Sequence, residues 1–257
     1  MAEQIKKKGS SITRILEILE AVGEANHPPS PLDLSIALDI PKPSIHRLIQ
    51  FLEKEGYVKI DLYGGLLIGA RVKKLLFNVW NNEKFRVERI SILEKLSNKI
   101  GETCGIAILQ ENHMLYVDRI QTNWPLQVYL PVGSTVPLWC TSSGKLFLSY
   151  LNAEKRANIL RNIAMTPYTK NTILDVEALE KEIQTIRENA LGTDDEEFIA
   201  GMVACSVPIF HPNGEILASL YTHAPTIRKS LKDLVAFEND LRQAANDLNL
   251  HIKHSLE

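Results

Sequence analysis

Ile40-Pro41-Lys42-Pro43-Ser44-Ile45-His46-Arg47-Leu48-Ile49-Gln50-Phe51-Leu52-Glu53-Lys54-Glu55-Gly56 is the stretch on which the reading of the chain turns. Ile45, Leu48, Ile49 and Leu52 stand at i, i+3, i+4 and i+7, so a helix opening at Lys42-Pro43 buries all four on one side. Proline suits the first helical turn, where its missing N–H has no partner to lose, and Gly56 can end the helix. The other side shows Ser44, Arg47, Gln50 and Lys54, with His46 beside them. Upstream, Ser30 is a good N-cap, Pro31 fits the first helical position and Asp33 suits the first turn, which predicts a short helix over Leu32 to Leu38. Further upstream, Ser10 or Ser11 can cap a helix whose apolar positions are Ile12, Ile15, Leu16, Leu19 and Val22. Downstream, Tyr57 to Ile60 alternates like a strand, Asp61 to Gly65 turns, and Leu66-Leu67-Ile68 returns. Three short helices followed by a hairpin is the order of a winged helix-turn-helix.

The physical logic of that order favours DNA. The third helix buries one face on the first two and leaves a polar, cationic face free. Its N-terminal amides and positive dipole end suit phosphate. Lys42, Ser44, His46 and Arg47 supply donors that can reach base edges or phosphates in a major groove. A helical module that uses the same polar face on a protein partner remains the alternative.

At 257 residues, the chain is long enough for one large or two ordinary domains of roughly 150 residues. Hydrophobic residues at 45% and charged residues at 23% describe a globular sequence rather than a disordered one. A formal charge of −2 excludes a uniformly basic nucleic-acid coat but leaves room for one basic face. The electropositive end is N-terminal: up to Arg14 there are four basic residues and one acid. No apolar run reaches the ~18 residues of a membrane span, and no apolar core follows Lys6-Lys7-Lys8, so a cytoplasmic protein without a membrane partner is expected. Cys104, Cys140 and Cys205 are odd in number and far apart, which argues against a disulfide framework or a zinc ribbon.

Four segments are expected: a flexible arm over 1–9, the DNA-binding unit over 10–69, a linker helix over 70–82 and a larger unit over 83–257. The linker carries Val72, Leu75, Leu76 and Val79 in helical phase, and it can pack on a second copy or on its own C-terminal unit. Beyond Phe85 the pattern is mixed. A helix runs to Ile100, and Thr103 to Leu109, Met114 to Ile120 and Pro125 to Leu130 are β-rich. Helices are expected at Ser142 to Tyr150, after Ala153, and over Glu177 to Asn189. Met202 to Phe210 and Ile216 to Thr222 make a strand pair about Pro212-Asn213-Gly214, and one last helix spans Leu231 to Leu248. The class is α+β, an antiparallel sheet flanked by helices.

From about Ser11 to Leu248 this order resembles the IclR family of bacterial transcription regulators. The resemblance is carried by Ile12-Thr13-Arg14-Ile15-Leu16-Glu17-Ile18-Leu19, Ile40 to Leu48, Glu55-Gly56-Tyr57-Val58, Pro137-Leu138, Ser142-Ser143-Gly144-Lys145, Asn171-Thr172-Ile173, and Asp194-Asp195-Glu196-Glu197 followed by Gly201. It implies a winged-helix domain joined by a linker helix to a GAF-like effector domain, assembly as a homodimer or tetramer, and a small organic acid or aromatic catabolite as signal. Ser44, His46 and Arg47 fall on the implied recognition helix, with Arg14 and Lys42 completing the expected DNA-binding set. Ser142 and Ser143 fall on the pocket edge, Asp194 on the acidic loop, Met202 and Ala204 on the next strand, and Tyr221 and His223 on inward positions of the last strand; Leu130 completes the expected effector-binding set. Pro43 stands where the family usually has Ser or Thr. Cys205 lies one residue past a position, here Ala204, that is commonly cysteine, which puts it on the opposite strand face.

The pocket also has a reading from chemistry alone. Ser142 and Ser143 open a helix, so hydroxyls and amides converge at a positive dipole end, which suits a carboxylate. His223 can add a donor or a cation, and Trp139 and Tyr221 can line the wall or stack on a ring. Set against this, Ser142 can serve only as a cap, Trp139 only as core, and Asp194 to Glu197 only as a solvated turn. No G-x-S-x-G, H-E-x-x-H, Walker loop or G-x-G-x-x-G occurs, so neither catalysis nor a cofactor is expected. A Cys140 or Cys205 thiol paired with His113 or His223 is the enzymatic alternative, and a protein-binding adaptor is the third. The expected function is a ligand-responsive regulator, a repressor of a catabolic operon, bound to a pseudo-palindromic double-stranded operator. If the linker helix forms the subunit contact, Leu76→Asp places an unpaired charge in it and lowers the assembly state in sedimentation; unchanged sedimentation puts the contact elsewhere.

Overall fold

The computed structural model describes residues 10–25, 27–80, 83–125, 127–211 and 214–256. The expected arm over 1–9 lies outside them, as do the side chains of Leu76 and Val79 in the linker helix. The chain divides into two compact units, Met1–Glu83 and Lys84–Glu257.

The first unit consists of α1 (Ser11–Glu24), α2 (Pro31–Ala37), α3 (Lys42–Lys54), β1 (Val58–Ile60), β2 (Leu66–Ile68) and α4 (Ala70–Trp80). Local chemistry sets each start. The Ser10 hydroxyl accepts from the Thr13 amide at 3.2 Å. Ser30 and Asp33 form a reciprocal capping box with Pro31 at the first position of α2. Ile45, Leu48, Ile49 and Leu52 on α3 are buried against Ile18 and Val22 of α1 and Leu34 of α2, with Val58 and Leu66 closing the core from the hairpin. β1 and β2 pair antiparallel with Val58 opposite Ile68. Their turn is tied by Asp61, whose Oδ1 accepts from the amides of Tyr63 and Gly65, both at 2.8 Å.

The second unit runs α5 (Glu83–Ile100), β3 (Thr103–Gln110), β4 (His113–Ile120), β5 (Thr135–Pro137), α6 (Ser142–Tyr150), α7 (Ala153–Asn162), α8 (Val176–Asn189), β6 (Gly192–Asp195), β7 (Met202–Phe210), β8 (Ile216–Pro225), α9 (Leu231–Val235) and α10 (Glu238–Leu256). Six antiparallel strands lie in the order β5-β4-β3-β8-β7-β6. Helices cover both faces. On one, α6 lies against β6: a Cβ at Gly192 would sit 2.3 Å from the Ser142 carbonyl oxygen, so only glycine allows the approach. On the other, Arg89 of α5 donates to Asp118 of β4 at 2.7 Å, and both side chains are buried. α10 joins that side, with its Asn249 accepting the Phe210 amide at 3.0 Å.

Three expectations are corrected. Residues 127–130 are not a strand; β5 pairs with His113, Met114 and Leu115 of β4, and 127–130 run beside the later part of that strand without a ladder to it. They are carried instead by the Arg119 side chain, which donates to the carbonyls of Leu130 and Val128. The last helix is two helices, broken at Ala236 and Phe237 after a Ser230–Asp233 capping box starts the first. Leu234 and Leu241 are both buried, so the apolar period runs unbroken across the interruption and hides it. Asp194, expected on a loop, lies on β6, a four-residue strand whose Gly-Thr-Asp-Asp sequence has no apolar alternation.

Candidate functional site

Two sets of residues were expected to act, and they lie in different units. On α3, Lys42, His46 and Arg47 are exposed and Ser44 is half-buried, while the four apolar residues of the same helix are core. Pro41, the N-cap of α3, offers no side-chain cap, Pro43 has no N–H, and the Ser44 amide donates to the Pro41 carbonyl at 2.8 Å. Arg14, in the first turn of α1, is half-buried.

In the second unit, the sheet face beneath α6 collects every expected effector residue that lies on a strand. Register places Asp194, Ala204, His223 and Thr103 in one row across β6, β7, β8 and β3. The adjacent row on the same face is Gly192, Ser206, Tyr221, Gly105 and Arg119, from β6 to β4. Met202 lies two residues from Ala204 on the same strand face. Tyr221 stacks on Tyr116 with ring centroids 4.5 Å apart, and His223 follows at 6.1 Å. Gly105 makes room for this stack, since a Cβ there would meet the Tyr221 hydroxyl at 2.5 Å. Leu130 packs, half-buried, against the core that contains Tyr116, Trp139 and Tyr221. Ser142 and Ser143 are buried in the first turn of α6.

The polar atoms here are unusual. Ser206 Oγ, Ser219 Oγ, Tyr221 Oη, both ring nitrogens of His223 and Arg119 Nε are shielded from solvent and have no hydrogen-bond partner. Buried polar groups are nearly always paired, and here these atoms share one sheet face. Burial, with the Arg119 and Arg228 charges adding to it, drives the His223 pKa down to about 3. The imidazole is therefore neutral, which leaves the donor of its two expected roles. Burial also lifts Asp194 to about 7, against the pull of the Glu197 amide, which donates to its Oδ1 at 2.7 Å. Asp194 and Glu197 are buried, so the acidic segment is not a solvated turn.

Ser142 is not the cap of its helix. Thr141 is: its hydroxyl accepts from the Gly144 amide at 3.1 Å and donates to the Pro137 carbonyl at 2.6 Å. Trp139 is core, with its indole N–H donating to the Thr166 carbonyl at 3.3 Å. Sequence reading passed over Lys145, which is fully buried, with Nζ 2.5 Å from Glu197 Oε1 and 3.3 Å from Glu182 Oε1. It also passed over Arg119, Ser206 and Tyr116. For Arg119 there was a signal, because Asp118-Arg119 puts two charges inside an apolar strand and alternation sends them to opposite faces. Cys205 pairs across from Thr222 and so faces away from His223, and burial pushes its thiol up to about 12. Neither feature favours a thiol–imidazole pair.

A winged helix followed by a separate unit of antiparallel sheet flanked by helices is the architecture of a DNA-binding transcription regulator. Comparison with known proteins agrees. The family model described as "Bacterial transcriptional regulator IclR C-terminal" matches residues 81–250, and "IclR helix-turn-helix domain" matches residues 11–61. The chain belongs to the IclR family of transcriptional regulators. It is 32% identical to the Cupriavidus necator protein described as "Probable transcriptional regulator SauR", over 93% of this chain and 95% of that one. It is 25% identical to the transcriptional repressor IclR of Escherichia coli, over 93% and 89%. Among solved structures, IclR of Thermotoga maritima shares the fold with a TM-score of 0.63 at 20% identity, over 94% of this chain and 98% of that one. The inducer-binding domain of PobR from Acinetobacter, solved as a double mutant with 3-hydroxybenzoic acid, matches at TM-score 0.57 and 26% identity, over 62% and 94%. No helix among the described residues is long and apolar enough to cross a membrane.

The two shifted groups in one row have opposite linkage to pH. Asp194 has a folded pKa above its unfolded value, so its contribution to stability is present below about pH 4 and is lost as pH rises towards 7. His223 has a folded pKa below its unfolded value, so its contribution is present above about pH 6.5 and is lost as pH falls towards 3. Between roughly pH 4 and 6.5 the two slopes oppose each other. Urea unfolding across that window should show stability rising with pH in Asp194→Asn and falling with pH in His223→Gln. Parallel slopes in the two variants would contradict this assignment.

Proposed function

We propose that the protein is a repressor of a catabolic operon that binds a pseudo-palindromic operator as a homodimer or tetramer in the cytoplasm and responds to a small organic or aromatic acid. α3 enters the major groove, Arg47 and His46 reach base edges, and Lys42, Ser44 and Arg14 hold the phosphate backbone. Repression fits because occupancy of an operator is enough for it, and the Escherichia coli relative is named a repressor. An acid effector fits the 3-hydroxybenzoic acid in the PobR domain.

The observation that carries the effector reading is the set of unpartnered polar atoms on Ser206, Ser219, Tyr221 and His223, all in buried side chains on one sheet face. The ligand occupies the space between that face and the first turn of α6, bounded by Ser142, Ser143, Asp194, Met202, Ala204 and Leu130. Asp194 does not repel it, because its carboxyl is already held by backbone amides of the 197–198 segment. Binding is linked to operator affinity through the chain that joins the two units.

Two variants test the two halves of this reading. Arg47→Ala should weaken operator binding in a gel shift by ~1–3 kcal/mol and relax sequence preference at the base it reads; operator binding as tight as the parent's takes Arg47 off the interface. Ser143→Tyr should leave the gel shift intact while abolishing the thermal stabilisation produced by a panel of small carboxylates. A variant that still responds with normal affinity means the pocket is misplaced.

A further inference from the structure

We propose that Arg119 is the anion anchor of this effector site, and that its hold on the carbonyls of Val128 and Leu130 makes the 127–134 segment the part of the unit that responds when an anionic effector arrives. The inference rests on the effector reading above and adds to it the charge of the ligand and the group that senses it.

The argument begins with charge. The buried cations Arg89 and Lys145 are matched by carboxylates, Arg89 by Asp118 and Lys145 by Glu197 and Glu182, and the half-buried Arg228 is matched by Glu102. Arg119 is not. Its Nη1 donates to the Leu130 carbonyl and its Nη2 to the Val128 carbonyl at 2.8 Å, both neutral acceptors, and Nε is shielded from solvent without a partner. Among the described residues, no carboxylate lies within ion-pair distance of it. A guanidinium presents its N–H groups as a planar fork that fits a carboxylate through two parallel bonds, roughly twice as strong as bonds between neutral groups. The unused Nε is one tine of that fork.

Position supports charge. Arg119 and Tyr221 face the same side of the sheet in one row with Gly105 between them, and the Tyr221 ring lies over that glycine, so its hydroxyl is brought towards the Arg119 strand. Beyond Tyr221 stand the neutral His223 and the hydroxyl of Ser206. A ligand whose carboxylate sits on Arg119 thus meets uncharged donors and acceptors at its other end. That favours a small monoanionic acid bearing a second oxygen, hydroxyl or oxo. Asp194 stands on β6 with three strands between it and Arg119, so the two charges occupy opposite ends of the site. The first turn of α6 is the weaker anion site, since Thr141 already takes the Gly144 amide.

The mechanical consequence follows from the same bonds. Residues 127–130 have no ladder partner; Arg119 holds two of their carbonyls, Gln127 bonds to Gln121 and Thr122, and Leu130 packs on the core. A carboxylate competing for the guanidinium changes the Arg119 hold directly.

The test uses the full-length protein and acetate, pyruvate, 3-hydroxybenzoate and 4-hydroxybenzoate, each beside its primary amide. At least one acid, and not its amide, should raise the melting temperature of the parent and alter hydrogen exchange within 127–134. Arg119→Met should bind that acid at least about 30-fold more weakly while retaining operator binding. Arg119→Lys keeps the charge without the fork and should fall between the two, which covers the case in which the methionine variant fails to fold. An amide that binds as well as its acid, a methionine variant with parental affinity, or a parent that binds no acid of the panel overturns the proposal. The two readings separate cleanly: if Ser143→Tyr abolishes binding and Arg119→Met does not, the pocket stands and the anchor falls. Binding untouched by either variant removes both.

Discussion

A buried hydrogen-bonding group left without a partner costs about 1–3 kcal/mol, and more if it is charged. The second unit carries this cost repeatedly on one face of one sheet, at Arg119, Ser206, Ser219, Tyr221 and His223. A native fold keeps such a cluster only where the rest of the structure over-determines it. Here that support is visible. Lys145 ties α6 to the 197 segment and to α8 through two carboxylates. Glycines 105 and 192 let Tyr221 and α6 approach closer than any side chain would permit. The polar row is therefore held in place by groups that are themselves fully engaged.

The first unit solves a different problem with simpler means. It must present one helix rigidly to a large anionic surface, and does so by burying Ile45, Leu48, Ile49 and Leu52 beneath the exposed Lys42, His46 and Arg47. On the sheet face beneath α6, burial raises Asp194 and, with the Arg119 and Arg228 charges adding to it, keeps His223 neutral.

Most of the fold could be read from residue pattern, because each helix of the first unit and each long strand of the second carries its own local signal. The capping boxes at Ser30 and Ser230 and the apolar period of α3 are examples. Short strands such as β5 and β6 escaped, since three or four residues give no period to detect. The break between α9 and α10 escaped for the opposite reason, a period that continues across it.

Sequence by itself determined the two-unit order, the face of α3 left free, and the alternation that puts Ala204 and Cys205 on opposite sides of one strand. These are properties of neighbours along the chain, set by periods of 3.6 and 2 residues. Tertiary structure alone decided which charges are matched. Asp118 and Arg119 are adjacent in sequence, yet one meets Arg89 on one side of the sheet and the other meets only carbonyls on the opposite side. It also decided that Thr141 rather than Ser142 caps α6, and that His223 carries no charge. Pairing, burial and the ionisation that follows from them depend on residues distant in sequence, and these come together only when the sheet closes under α6.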